Sequence, residues 1–207
     1  MVLSIRDVQP HELDSVLAIN NAAGATILPL DASALHSMYE QACYFRMAEI
    51  DGNIAGFLPA MREDSEYAST NFRWFKDRYP EFVYIDRIVI AKPYRGLGLG
   101  RVFYADANSY AETRVPLLAC EVFLEPRDDV SLVFHGTYGF QEVGQRVMVK
   151  NGRRVALLAK TLCSYPFVRD TYLNGPPGRL PDVPWLAGRA HPTTPVTKHG
   201  MRAASGA

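Results

Sequence analysis

The chain has 207 residues, 48% of them hydrophobic, and its 22 basic side chains balance 22 acidic ones. That length and apolar fraction suit one globular domain with a sizeable core. Balanced charge leaves no global field to attract nucleic acid or a membrane surface, so any anion binding must be local. No apolar run approaches bilayer length, and no cationic segment followed by a long apolar core opens the chain. Cys43, Cys120 and Cys163 are odd in number and lack a Cys-x-x-Cys pair, which fits reduced thiols in a cytoplasmic protein with no metal.

In chain order, Leu3 to Val8 alternates as a first strand. Pro10 then sits where a first helical turn tolerates it, and Leu13, Val16, Leu17 and Ile19 follow helical spacing. Asn21 to Asp31 is a break, and Ala32 to Gln41 a second helix. Cys43 to Ile50 and Ile54 to Met61 read as a hairpin about Asp51-Gly52-Asn53, whose residues tolerate positive φ. Arg62 to Glu81 is polar and aromatic without a clear period, giving a long loop or a short helix. A central strand (Phe82 to Ala91) and a helix (Gly98 to Thr113) come next. Leu117 to Leu124 is a strand, Asp129 to Thr137 a short helix, and Phe140 to Lys150 a further strand. Asn151-Gly152 turns the chain into a last strand, Arg154 to Leu162. From residue 163 on, prolines, glycines and small polar residues predict an extended or disordered tail. The division is thus a domain over 1–162 and an extension over 163–207. Tyr165, Phe167, Val168, Tyr172 and Leu173 could dock its first part on the domain or on a second subunit, so a homodimer stays open.

Tyr84 to Tyr110 carries the most information. Ile88-Val89-Ile90 suits a buried strand, Pro93 stops it, and Arg95-Gly96-Leu97-Gly98-Leu99-Gly100-Arg101 forms a turn whose backbone can approach a ligand. Leu99, Val102, Phe103, Ala107, Tyr110 and Ala111 then repeat near 3.6, so the turn opens a helix. Free N–H groups and the positive dipole end there suit a phosphate, with Arg95 and Arg101 beside it. A P-loop would need Lys-Ser/Thr after Gly100, where Arg101-Val102 stand, and a dinucleotide fingerprint lacks its third glycine.

What does fit is the acyl-CoA turn of the GNAT N-acetyltransferases, Gln/Arg-x-x-Gly-x-Gly/Ala, present as Arg95-x-x-Gly98-x-Gly100. The segment Ile88 to Arg101 resembles that family's motif A, and the order β-α-α-β-β-β-α-β-α-β-β matches its topology from residue 3 to 162. A glycine-rich turn with no ligand is the plain alternative. The resemblance implies an α/β acyl-CoA N-acyltransferase fold: a mixed, mostly antiparallel sheet with one splayed parallel strand pair. It further implies acetyl-CoA in the splay. There the Ile88 N–H would meet the thioester carbonyl, an oxyanion donor worth about 3 kcal/mol. Val89 and Ile90 would run along the pantetheine arm, and backbone of Gly96, Leu97, Gly98, Leu99, Gly100 and Arg101 would hold the pyrophosphate.

Val130 to Phe140 looks like the family's later motif with two departures. Asp128 stands where an Asn usually contacts the pantetheine, and His135 where a Tyr usually protonates the departing thiolate. An imidazolium of about 6.5 is a stronger acid than a thiol of about 8.5, so His135 could serve, or it could be a packing histidine. The base that deprotonates the amine is open between Asp86, which shares strand parity with Tyr84, Ile88 and Ile90, and Glu121 on the next strand. Water also remains in play, and either carboxylate could simply pair with Arg87 or another cation. Cys120 as a covalent carrier is disfavoured by its apolar neighbours. Tyr67, Phe72, Trp74 and Phe75 fall where the family often builds its acceptor pocket, or they staple a loop down. Asp106, on the apolar face of its helix, is expected in a structural hydrogen bond.

The resemblance implies acetyl transfer from acetyl-CoA directly to an amine of a small molecule or peptide, without metal, nucleic acid or membrane. A non-catalytic acyl-CoA-binding or regulatory domain is the competing reading.

Overall fold

A computed structural model describes residues 2–148, 152–176 and 178–181. Eight strands form one sheet: β1 (Leu3–Asp7), β2 (Tyr44–Ile50), β3 (Asn53–Arg62), β4 (Val83–Ile85), β5 (Val89–Ile90), β6 (Leu117–Phe123), β7 (Gln141–Val147) and β8 (Arg154–Thr161). Six helices accompany them: α1 (Leu13–Asn21), α2 (Ala32–Gln41), α3 (Thr70–Lys76), α4 (Leu99–Ala111), α5 (Asp129–Thr137) and α6 (Tyr165–Val168). The strand order is β1-β2-β3-β4-β6-β8-β7, with β5 paired to β3 off that path. Every pairing is antiparallel except β4 with β6, which meet at Val83–Leu118 and Tyr84–Ala119. The expected fold class is the one observed.

Period-2 alternation sends side chains to two cores. On one face Tyr44, Ala48, Leu58, Val83, Leu118 and Cys120 pack against Phe103, Tyr104, Ala107 and Tyr110 of α4. On the other, Phe45, Met47, Phe57, Tyr84 and Ala119 meet Val16 of α1, Leu35 and Met38 of α2, and Phe72 and Phe75 of α3. Full burial of such side chains contributes about 1.5–3 kcal/mol each. Asp106 plays its expected structural part. It accepts from the Tyr44 hydroxyl at 2.8 Å and from Arg46 Nη1 at 3.1 Å, while Arg46 Nε reaches Asp7 at 3.0 Å.

Within residues 62–81 the short helix, one of the two expected alternatives, forms: α3 starts where Ser69 caps the Phe72 N–H at 3.3 Å. Two segments differ from the sequence reading. The central strand is two pieces. Ile85 pairs with Ala60 and Val89 with Phe57, so three residues, Asp86 to Ile88, oppose two on β3, and the chain bulges. Among the described residues beyond 162, the first part is helical rather than extended: α6 is followed by a π-helical turn, Arg169–Leu173. Tyr165 is 4% exposed and packs in the α4-side core, so this first part of the extension joins the domain. Asn151, Pro177 and residues 182–207 of the expected turn and tail lie outside the described residues.

Gly56 of β3 lies directly across from β5. A Cβ there would come within 2.4 Å of the Val89 carbonyl oxygen, so only glycine admits this approach.

Candidate active site

The bulge decides what β5 offers. Val89 stands opposite Phe57, and the Ala91 N–H donates to the Ala55 carbonyl at 2.9 Å, so these positions turn their N–H groups to β3. By strand alternation Ile88 and Ile90 turn theirs the other way, toward β6. Yet β4 and β6 pair only as far as Tyr84 and Ala119, and beyond that they diverge. Unpaired donors therefore face a wedge, and Ile88 and Ile90 line the cavity that fills it. That cavity measures about 680 Å³ and runs through the sheet between the two cores.

At one end of the wedge lies the glycine turn. Gly96 and Gly98 have φ of 81° and 80°, values that L side chains rarely adopt, and Gly98 caps α4 without any side-chain partner. The Leu99 and Gly100 N–H groups at the start of α4 are thereby left for an anion, while the Arg101 N–H donates to the Gly98 carbonyl at 2.9 Å. Gly100 serves packing: a Cβ would touch the Phe134 ring at 3.4 Å, so α4 and α5 approach closely there. Arg101 is exposed on the first turn. Arg95 corrects the expectation of a phosphate cation. Its Nε donates to the Ile90 carbonyl at 3.1 Å and its Nη2 to the Ala23 carbonyl at 2.7 Å, at the end of α1. Two well-placed carbonyls outcompete a direction facing water.

The two carboxylates have different surroundings. Because the bulge interrupts alternation, Asp86 does not share a face with Ile88 and Ile90 as expected: Tyr84 packs in the α1–α2–α3 core, whereas those isoleucines pack against the α4 core. Asp86 accepts from Arg87 Nε at 2.7 Å and from the Tyr67 hydroxyl at 2.6 Å. Arg87 in turn holds Asn20 Oδ1 at 2.8 Å and the Leu28 carbonyl at 2.9 Å. Glu121 is partly buried and makes no ion pair among the described residues. It accepts from the Tyr84 hydroxyl and from Asn71 Nδ2 at 3.1 Å. Burial, then the nearby Asp86 charge, push its carboxyl up to about 7, against the pull of those hydrogen bonds. Both carboxylates line the cavity.

Across the wedge, Asp128 caps α5 by accepting from the Ser131 N–H at 2.9 Å and lines the cavity. His135, 4% exposed, sits behind it with both ring nitrogens engaged. Nδ1 lies 2.7 Å from the Ser131 carbonyl, which can only accept, so Nδ1 carries the proton. Nε2 of the neutral ring therefore accepts from the Tyr104 hydroxyl at 2.5 Å. Burial lowers the histidine pKa and raises the tyrosine's well above its usual value. An imidazolium with a free proton, as the sequence suggested, is not the resting arrangement. The Cys120 thiol is likewise pushed well up by burial, which disfavours a covalent carrier.

Of the aromatic set, only Tyr67 lines the cavity. Phe72 and Phe75 are 1% and 0% exposed within the core. Trp74 lies against Gly144 of β7, where a Cβ would meet its ring at 3.0 Å, and Arg78 stacks on it at 4.2 Å. The expected acceptor wall is thus a staple at these three positions. The α1–α2 loop, including Ala23, Ile27, Leu28 and Leu30, lines the cavity in their place. Sequence reading passed over this loop and Asn71. The available signals were the run Thr26-Ile27-Leu28-Pro29-Leu30, apolar inside a predicted break, and Ser69 as a helix cap.

A sheet splayed at its one parallel pair, with a glycine turn opening a helix beside the splay, defines the fold of the GNAT transferases. Residues 16–140 match the Acetyltransferase (GNAT) family, and the chain belongs to it; acetyl transfer is the chemistry of that family. Solved structures agree on the fold. Ribosomal-protein-alanine N-acetyltransferase from Brucella melitensis superposes with a TM-score of 0.59 at 22% identity, over 77% of this chain and 99% of that one. The loading GNATL domain of CurA from Lyngbya majuscula gives 0.63 at 12%, over 79% and 99%. An Arabidopsis thaliana protein in complex with a bisubstrate analogue containing CoA gives 0.57 at 14%, over 77% and 99%. No curated protein matches the sequence. Among the described residues no helix is long and apolar enough to cross a membrane.

Proposed function

We propose that the protein is an acetyl-CoA-dependent N-acetyltransferase that passes the acetyl group directly to an amine of a small molecule or peptide. The observation that carries this reading is one continuous cavity. It is lined by Ile88 and Ile90 of the splayed strand on one side and by Glu121, whose carboxyl is pushed up to about 7, on the other, and Arg95 joins it to the glycine turn that opens α4.

The residues divide the work as follows. The Leu97 to Arg101 backbone holds the pyrophosphate, and the Ile88 and Ile90 N–H groups hold the thioester carbonyl and the pantetheine arm. Glu121, ionised, takes a proton from the acceptor ammonium. A carboxyl at about 7 is a far better base than an ordinary one, and its value lies near the operating pH. Asp86, tied to Arg87 and Tyr67, shapes the site and raises Glu121 through its charge. Tyr104 and His135 act together on the leaving sulfur. Nε2 of the neutral imidazole holds the Tyr104 hydroxyl beside the cavity, the O–H turns to the departing sulfur as a hydrogen-bond donor, and the thiolate takes its proton from solvent.

Thermal unfolding with acetyl-CoA, followed by acetyl-CoA consumption with a broad amine panel, tests this. Ligand at a hundred times its dissociation constant adds about 2.7 kcal/mol, and Gly98→Val removes the shift. No shift at millimolar acetyl-CoA would overturn the reading.

A further inference from the structure

The chemistry of the acceptor is written on the cavity wall opposite α4. Asn71 of α3 bonds Glu121, so that carboxyl points to the α1–α2–α3 face, and an amine must approach it from there. On this face the cavity is walled by Ile27, Leu28 and Leu30 of the loop, Met38 of α2, Phe123 at the end of β6, and Met148 just past β7. Four of them, Ile27, Leu30, Phe123 and Met148, are only partly buried against the core, so apolar surface remains for a ligand.

The cations on the same face are already spent. Of the described cavity-lining residues here, Glu121 and Asp86 are acidic, and the cations are Arg87 and Arg95. Arg87 is matched by Asp86 at 2.7 Å and spends Nη1 on Asn20 and the Leu28 carbonyl. Arg95 is spent on the carbonyls of Ile90 and Ala23. Nearby, Arg153 stacks on Phe123 and donates to the Ala25 carbonyl at 2.8 Å. A carboxylate on the acceptor would have to break one of these ties, and a buried charge without a partner is strongly disfavoured. Thr26, Ser37, Ser69 and Thr70 also line the cavity and can meet an isolated hydroxyl, but they carry no charge, and a second ammonium would find no unmatched carboxylate beside Ile, Leu, Met and Phe.

Resting on the acetyl-transfer reading above, we infer that the acceptor is a monoamine on an apolar body with no free carboxylate: an apolar amine, or an amino acid whose carboxyl is masked as an ester or amide. Free amino acids and polyamines are excluded by the same wall.

A matched series tests this on the full chain saturated with acetyl-CoA: 2-phenylethylamine, phenylalanine methyl ester, a phenylalanyl peptide amide, phenylalanine and putrescine. The first two are expected to exceed phenylalanine and putrescine in kcat/KM by at least tenfold. A peptide amide taken better than the ester places the same chemistry at a peptide N-terminus; the reverse places it on small molecules. Phenylalanine or putrescine acetylated as well as phenylethylamine overturns the inference. Calorimetric binding of the same series to the CoA-loaded protein separates the two claims. If nothing is acetylated, the acetyl-transfer reading fails. The inference on class then stands or falls on whether the amine and ester still bind at least tenfold more tightly than the acid and the diamine.

Discussion

Arg95 reaches back from the glycine turn to donate to the Ala23 carbonyl at 2.7 Å, so the residue that opens that turn also anchors the α1–α2 loop over the cavity. Removing that anchor is expected to act on the amine. Arg95→Ala should raise the KM for the amine several-fold and leave acetyl-CoA affinity within about twofold, measured by varying each substrate in turn. A tenfold loss of acetyl-CoA affinity with an unchanged amine KM would return Arg95 to the phosphate.

Glu121 links activity and stability to pH with opposite signs. As a base it works ionised, so kcat/KM should rise through about pH 7, and Glu121→Gln should flatten that limb and lower the rate by roughly 10²–10⁴. For stability, its folded pKa is raised from 4.5 to about 7, so the folded protein holds the proton more tightly than the unfolded chain. Its contribution is complete below about 4.5 and is lost as pH rises through 7, on the order of 3 kcal/mol. Denaturant titrations across that window should show the slope in the parent and not in the Gln variant. An equal loss of pH-dependent activity in Asp86→Asn, with Glu121→Gln unaffected, would transfer the role.

His135→Ala is expected to slow the chemical step by about 10²–10⁴ in single turnover, with acetyl-CoA affinity little changed. Tyr104→Phe should reproduce most of that loss, because the two side chains share one hydrogen bond. Adding the variants together should cost little more than either alone. Additive losses would separate them, and a parent rate in either would leave the sulfur to solvent.

Trp74→Ala should destabilise the fold by roughly 1–3 kcal/mol, since it empties the contact against Gly144, while the order of amine preference stays the same. A changed preference with unchanged melting temperature would put Trp74 back at the acceptor.

The motif around Arg95 to Arg101 was legible because glycines at positive φ and a 3.6-residue apolar repeat are local properties of the chain. The bulge at Asp86 to Ile88 was not. Tyr84 to Ile90 reads as one strand, and the interruption exists only through pairing with β3. That single inserted residue misassigned the face of Asp86. It also hid the advantage of Glu121, whose raised pKa comes from burial and a neighbour on another strand. Arg95 and Trp74 misled for a related reason. Both side chains are long enough to choose among several partners, and the choice is made by α1 and β7, distant in sequence. Asp106, in contrast, was readable, because a carboxylate on an apolar helical face must have a partner.

The width of the cavity is set from the far side of the strand that lines it. Gly56 lets the Val89 carbonyl come where a methyl group would stand, so β5 leans onto β3 and away from β6. One missing carbon thus acts as a spacer for a cavity it never touches. Gly56→Ala would push β5 back across the sheet and narrow the cleft by the width of that displacement, closing the binding site without altering a single residue that lines it.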